Sequence, residues 1–151
     1  MKAKAIVLTL ALCFVGVALG YATDAFMGTW KLNEAKSKFA PGSRKNNTVV
    51  YEAAGDNVKV TADGTDSDGK PAHNEWTGKF DGKDYPVKGT YANETVSLKK
   101  LSDRSIEATF KRDGKVESVD KITVSPDGKK MTTVADNKRL GRVSTLVDEK
   151  Q

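Results

Sequence analysis

The stretch that decides the fold reads Thr95-Val96-Ser97-Leu98-Lys99-Lys100-Leu101-Ser102-Asp103-Arg104-Ser105-Ile106-Glu107-Ala108-Thr109-Phe110-Lys111-Arg112-Asp113-Gly114. Val96 and Leu98 alternate with polar neighbours, and so do Ile106, Ala108 and Phe110. A period of two puts each apolar set on one face of an extended strand, with Ser97, Lys99, Glu107 and Lys111 on the other. Ser102-Asp103 and Asp113-Gly114 supply the turns, because Asp-Gly accepts the positive φ of a tight hairpin at little steric cost. The stretch is a half-buried antiparallel hairpin.

The same grammar runs outward in both directions. Asp-Gly occurs five times, at Asp63-Gly64, Asp68-Gly69, Asp81-Gly82, Asp113-Gly114 and Asp127-Gly128. Gly55-Asp56 and Asp136-Asn137 add further turn signals. Alternating runs fall at 26–33, 48–54, 58–62, 74–80, 85–91, 95–101, 105–112, 116–124, 130–135 and 140–147, which is about ten strands with a turn roughly every 10–13 residues. The best helical candidate, 31–39, is short and runs into Pro41-Gly42. Lys59, Lys79, Lys99, Lys111 and Lys121 fall on outward positions as solvated strand residues and edge protection. A meander of this many strands curls and closes to remove its edges. Only 34–47 and 63–73 are long enough for the crossing connections of a sandwich. The expected fold is all-β, an antiparallel up-and-down barrel of about eight to ten strands.

Lys2 and Lys4 precede the apolar run from Ala5 to Leu19, and small residues follow it. That pattern predicts a secretory signal peptide over 1–20, cut after Gly20 or after Ala22. Residues 21–151 then form one barrel domain in the periplasm or outside the cell. Removing two lysines takes the formal charge from +5 to +3. The single cysteine, Cys13, lies in the apolar run. Leu12 before it and the apolar residues after it do not suit lipid attachment, so Cys13 reads as a small hydrophobe of the signal core. An exported chain without cysteine has no disulfide, thiol nucleophile or Cys-bound metal.

Asp24-Ala25-Phe26-Met27-Gly28-Thr29-Trp30-Lys31-Leu32 resembles the first strand of the calycin barrels, namely lipocalins, fatty-acid-binding proteins and avidins. The Gly-x-Trp with Phe26 before it and Leu32 after it is closest to the fatty-acid-binding type. The wider chain, through Lys36-Ser37-Lys38-Phe39 and Glu75-Trp76-Thr77-Gly78-Lys79-Phe80-Asp81-Gly82, resembles a family of small exported bacterial proteins of uncharacterised function. The resemblance implies a lipocalin-like barrel. In it Gly28 allows close backbone approach and Trp30 plugs the closed end. Arg142, with Arg139 second, lies over Trp30 as a cation–π partner. The departures are equally definite. The gap after the first strand is too short for a two-helix lid, Gly141-Arg142-Val143-Ser144 lacks the Tyr of the carboxylate-binding Arg-x-Tyr, and only Trp30 and Trp76 exist where avidins use several tryptophans. None of the three binding specificities carries over.

Catalysis has little to work with. His73 is the only imidazole, it follows Pro71 at a strand start, and no Gly-x-Ser-x-Gly elbow is present. Nearly all acidic residues fall in turns and are explained by turn chemistry. Gly64 to Glu75 partly fits a calcium loop through Asp66, Asp68 and Glu75, but Gly64 stands where the first ligand belongs. No catalytic residue, metal or cofactor is therefore assigned. The basic pairs are scattered over different strands at a small net charge, which argues against nucleic acid. The informative place is the lumen. Few bulky inward residues beside many Ala, Thr and Gly leave two alternatives. One is an open pocket for a small hydrophobic or amphipathic molecule, lined by Trp76, Phe80, Val96, Leu98, Ile106 and Phe110. The other is a filled barrel that acts through its loops, as a protein-interaction or inhibitor module, on an envelope component or a foreign enzyme. In either case a monomer without a membrane span in the mature chain is expected.

Overall fold

The computed structural model describes residues 24–151. The expected signal peptide, with Cys13, lies outside the described residues. A short 3-10 turn, Asp24–Phe26, leads into β1 (Gly28–Leu32), and a second, Glu34–Lys36, follows it. Then come β2 (Lys45–Ala54), β3 (Asn57–Thr65), β4 (Pro71–Gly78), β5 (Asp81–Pro86), the two-residue β6 (Lys88–Gly89), β7 (Glu94–Ser102), β8 (Ser105–Arg112), β9 (Lys115–Val124), β10 (Lys130–Asn137) and β11 (Arg142–Lys150). The helical candidate at 31–39 shrinks to the single turn Glu34–Lys36.

All eleven strands form one sheet, in the order β5-β7-β8-β9-β10-β11-β1-β2-β3-β4-β6. Every recorded pair is antiparallel, and β1 closes the barrel by pairing with β2 on one side and β11 on the other. The closure is incomplete at one place. β4 pairs only with β3 and the short β6, while β5 pairs only with β7, so no ladder joins β4 to β5 among the described residues. This seam splits the run expected at 85–91. The chain pairs with β7 up to Pro86, crosses at buried Val87, and pairs with β4 at Lys88–Gly89.

Three of the five Asp-Gly pairs behave as turns. At the β8–β9 hairpin both Asp113 (φ 50°) and Gly114 (φ 77°) are left-handed, as a type I′ turn requires. Two pairs do not. Asp63-Gly64 lies inside β3 and Asp81-Gly82 inside β5. A Cβ on Gly64 would lie 1.8 Å from the Lys45 carbonyl oxygen, so that glycine serves close packing at the β2 bulge. Gly82 sits within the register shift between Asp81 and Asp84.

Inward side chains form one cluster. Phe26, Trp30, Ile106 and Ala108 are fully buried, and Tyr51, Val58, Val60, Val96, Leu98, Val124 and Met131 join them. Phe26 lies in the 3-10 turn rather than in β1, yet its carbonyl accepts the Trp30 indole N–H at 2.8 Å. The hydrogen bond lets the indole be buried without a lost polar group. The Phe26 ring meets Phe80 edge-on at 6.0 Å and Tyr51 at 6.1 Å. Together these rings plug one end of the barrel.

Candidate functional site

The pocket candidates meet in that cluster. Trp76, Val96, Leu98 and Ile106 are buried in it, and Phe80 and Phe110 are half-buried against it. Trp76 belongs to β4, and its ring stacks on Tyr85 of β5 at 6.2 Å across the seam. A Cβ on Gly78 would lie 2.5 Å from the Tyr85 ring. The missing side chain therefore makes the seat for that ring. The Tyr85 hydroxyl donates to Asp81 at 2.8 Å. Side chains, not backbone hydrogen bonds, close the barrel wall here.

The other end of the lumen is ionic. Arg44 reaches in from just before β2 and donates to both carboxylate oxygens of Glu94 at the start of β7, at 3.0 and 2.7 Å. Arg112, paired with Glu94 across the β7–β8 ladder, donates to the same carboxylate at 2.7 Å. Glu117 continues the chain, 3.7 Å from Arg112 and 3.1 Å from Arg139. Glu94 is 2% exposed, and the Arg44 guanidinium lies 3.6 Å over the Tyr91 ring. Burial by itself would raise the Glu94 carboxyl, but the hydrogen bonds and charges of Arg44 and Arg112 outweigh it, and its pKa sits below the ordinary value. Arg44 is correspondingly raised: burial works against its charge, and Glu94 overcomes that. Bidentate pairing of this kind is strong and directional. A strap of side chains thus spans the mouth from the β2 side to the β7 side.

Two further acids face inward. Asp120 on β9 is opposite Ala108 on β8 and Ala135 on β10. Asp148 on β11 is opposite buried Met131 and is 3% exposed. Burial pushes both up to about 6; for Asp120 a Ser118 hydrogen bond opposes the rise and Asp136 adds to it. A carboxyl raised in the folded state stabilises the fold fully below its ordinary pKa, and that contribution is lost as pH rises through about 6. Denaturant melts are expected to show stability falling between pH 4 and pH 7. Asp148→Asn should flatten that slope and raise stability by about 1–2 kcal/mol at pH 7.5. An unchanged slope would remove Asp148 from the account.

Three readings of the sequence need correction. Arg142 does not lie over Trp30. It sits at the far end of β11 and donates to the Pro41 carbonyl at 2.7 Å. The cation over the indole is Lys150, 5.3 Å from the ring, because the β1–β11 register places Lys150 opposite Trp30. Arg139 pairs with Glu117 instead. The acids are not confined to turns, as Glu94, Asp120 and Asp148 show. Finally, Gly28 adopts φ 113°, which a side chain rarely allows, with the Lys150 chain 3.0 Å from where its Cβ would be. Its close approach is to that side chain.

The remaining candidates disperse. Asp66 accepts the N–H groups of Asp68 and Lys70 within its own turn, and Glu75 pairs with Lys59 at 3.2 Å. His73 is exposed on β4 beside Asp63. An open cleft of about 410 Å³ lies there, lined by Asn47, Asp63, Gly64, Pro71, Ala72, His73 and Thr90. Among the described residues no group of three His, Cys, Asp or Glu is placed to hold a metal. No described helix is long and apolar enough to cross a membrane.

Comparison of the sequence with protein-family models and with curated proteins found no match. Solved structures do match. The Schistosoma mansoni fatty acid binding protein in complex with arachidonic acid superposes at a TM-score of 0.64 and 16% identity, over 86% of this chain and 98% of its own. A redesigned β-barrel, mFAP1, bound to DFHBI, gives a TM-score of 0.48 at 16% identity, over 85% of this chain and 98% of its own. The chain shares the barrel fold of the schistosome protein.

Proposed function

We propose that the protein is an exported carrier that sequesters a small, partly hydrophobic ligand inside its barrel. The observation that carries the reading is the seam. β4 and β5 share no ladder, and the Tyr85 ring seated on Gly78 closes the wall in place of backbone hydrogen bonds, so a ligand entering there has only that side chain to displace. The ligand then lies between the packed floor of Phe26 and Trp30 and the Arg44–Glu94–Arg112 strap, against Trp76, Val96, Leu98 and Phe110. The schistosome protein's arachidonic acid supports a lumen site in a barrel of this shape. Its carboxylate is not a guide to the head group here, because Glu94 already occupies both arginines. Binding rather than catalysis suits the residues present, and a monomer suffices.

Titration with Nile red tests this. The folded protein should take up the dye saturably, and Phe110→Arg should abolish uptake while leaving the β-sheet circular dichroism intact. Absence of uptake by the folded wild type would favour the filled barrel acting through its loops, a reading that the packed floor supports. Export is tested separately. Intact mass of the protein from a periplasmic or culture-medium fraction should match cleavage after Gly20 or Ala22.

A further inference from the structure

The outer surface of the barrel holds a cluster that the lumen does not use. Val60, Ala72 and Trp76 are buried inward, so Asp63 on β3 and His73 on β4 point out by alternation. The two stand directly opposite each other in the antiparallel ladder, which puts their side chains side by side on one face. They meet: His73 Nδ1 is hydrogen-bonded to Asp63 Oδ1. A carboxylate only accepts, so Nδ1 carries the shared proton, and His73 Nε2 and Asp63 Oδ2 are left over.

The backbone around this pair is fitted to it. Thr90 holds His73 from the open side of β4: its Oγ1 accepts the His73 N–H at 3.0 Å, and its own N–H donates to the His73 carbonyl at 2.9 Å. Gly89, at φ 114°, has no room for a side chain, since a Cβ would lie 2.1 Å from that carbonyl. On the other flank Asn46 is opposite Gly64 and Thr48 is opposite Asp63, so Asn47 is the extra residue of the β2 bulge. A bulge re-aims a side chain, and Asn47 lines the same open cleft of about 410 Å³ as Asp63, His73 and Thr90. Pro71 and Ala72 add apolar surface to its wall.

The chemistry of these walls selects a ligand. The Asp63 and His73 side chains are 56% and 58% exposed, and charge attraction in so wet a place is worth little. A phosphate or carboxylate would also face the Asp63 charge. What the cleft offers is several hydrogen-bonding groups on rigid strands: a carboxylate oxygen that needs a donor, an imidazole nitrogen, and a carboxamide that pairs both ways. A hydroxyl donates and accepts at once, and adjacent hydroxyls on one ring engage several such groups together. The C–H face of such a ring suits Pro71 and Ala72.

We propose that this cleft is a second binding site, one for a neutral sugar, with one hydroxyl donating to Asp63 Oδ2 and its neighbours meeting His73 Nε2 and the Asn47 carboxamide. It is independent of the carrier reading. His73 is the only histidine of the chain, so its ring resonances report on the cleft directly. Glucose, galactose, mannose and N-acetylglucosamine are each titrated into the whole isotope-labelled protein. At least one should shift the His73 ring signals saturably, with a Kd of about 1 mM. Asp63→Asn should weaken that binding about tenfold and Asn47→Ala about threefold, read by saturation transfer from protein to sugar. Both positions are exposed, so the fold is not at risk. Phe110→Arg, which blocks the lumen, should leave sugar binding unchanged; its loss there would place the sugar in the lumen and overturn the proposal. No ring shift with any of the four at about 100 mM, or an unchanged Kd in both cleft variants, also overturns it. So does a larger response to phosphate or putrescine than to every sugar, because the cleft would then be reading charge.

Discussion

Trp30→Ala is expected to destabilise the protein by about 3–5 kcal/mol, the range for removing a large buried aromatic from a packed core. Three losses combine. The indole is fully buried, so its removal forfeits contact on every side. The Phe26 carbonyl loses the N–H that satisfies it. The Lys150 ammonium loses the ring beneath it. Equilibrium urea unfolding measures this: the midpoint should fall while the slope stays close to that of wild type. Trp30→Phe should recover part of the loss, since it restores most of the packing but not the hydrogen bond. A Trp30→Ala cost below about 1 kcal/mol would mean that the floor collapses around the gap and that Trp30 is no plug.

Glu94→Gln should have the second largest effect, about 2–3 kcal/mol. Breaking a buried pair by removing one partner costs roughly 3–5 kcal/mol, because the other charge stays buried and unpaired. Arg44 and Arg112 are each about a third exposed, and water reduces the penalty accordingly. Arg44→Ala should cost less in the Glu94→Gln background than in wild type, and the difference measures the coupling. Additive effects would show that the strap is a set of independent surface contacts. Because the Glu94 pKa is lowered, its contribution is present above the ordinary carboxylate value and is lost as pH falls through its folded pKa. This runs opposite to Asp120 and Asp148, so Glu94→Gln should leave the decline in stability toward pH 7 intact.

Much of the barrel was legible in the chain. Alternation at Val96 and Leu98, at Ile106, Ala108 and Phe110, and the Asp113-Gly114 turn all describe half-buried hairpins, and the structure forms them. The ionic site is written in the same alternation, with a charge where an apolar residue would stand. Glu94 has the parity of Val96 and Leu98. Arg112 has that of Phe110, Asp120 that of Ile122 and Val124, and Asp148 that of Leu146. A charge at an inward position is the signal that distinguishes them from turn acids. The two misplaced turns have a physical cause. Asp-Gly marks a site where a side chain is not tolerated, whether the reason is a positive φ or a neighbouring backbone, and the dipeptide does not say which.

Periodicity is local: a few consecutive residues suffice to set which face of a strand is apolar, so the all-β class, most strands and the inward candidates follow from the sequence by itself. Register around a closed sheet is not local. It depends on how every ladder adds up around the barrel, and that sum put Lys150 rather than Arg142 over Trp30. It also set Arg44 against Glu94 across 50 residues of chain, and left the seam between β4 and β5 to be filled by Tyr85. Only tertiary structure brings such pairs together, because the partners are distant in the chain and meet where the intervening ladders set their register.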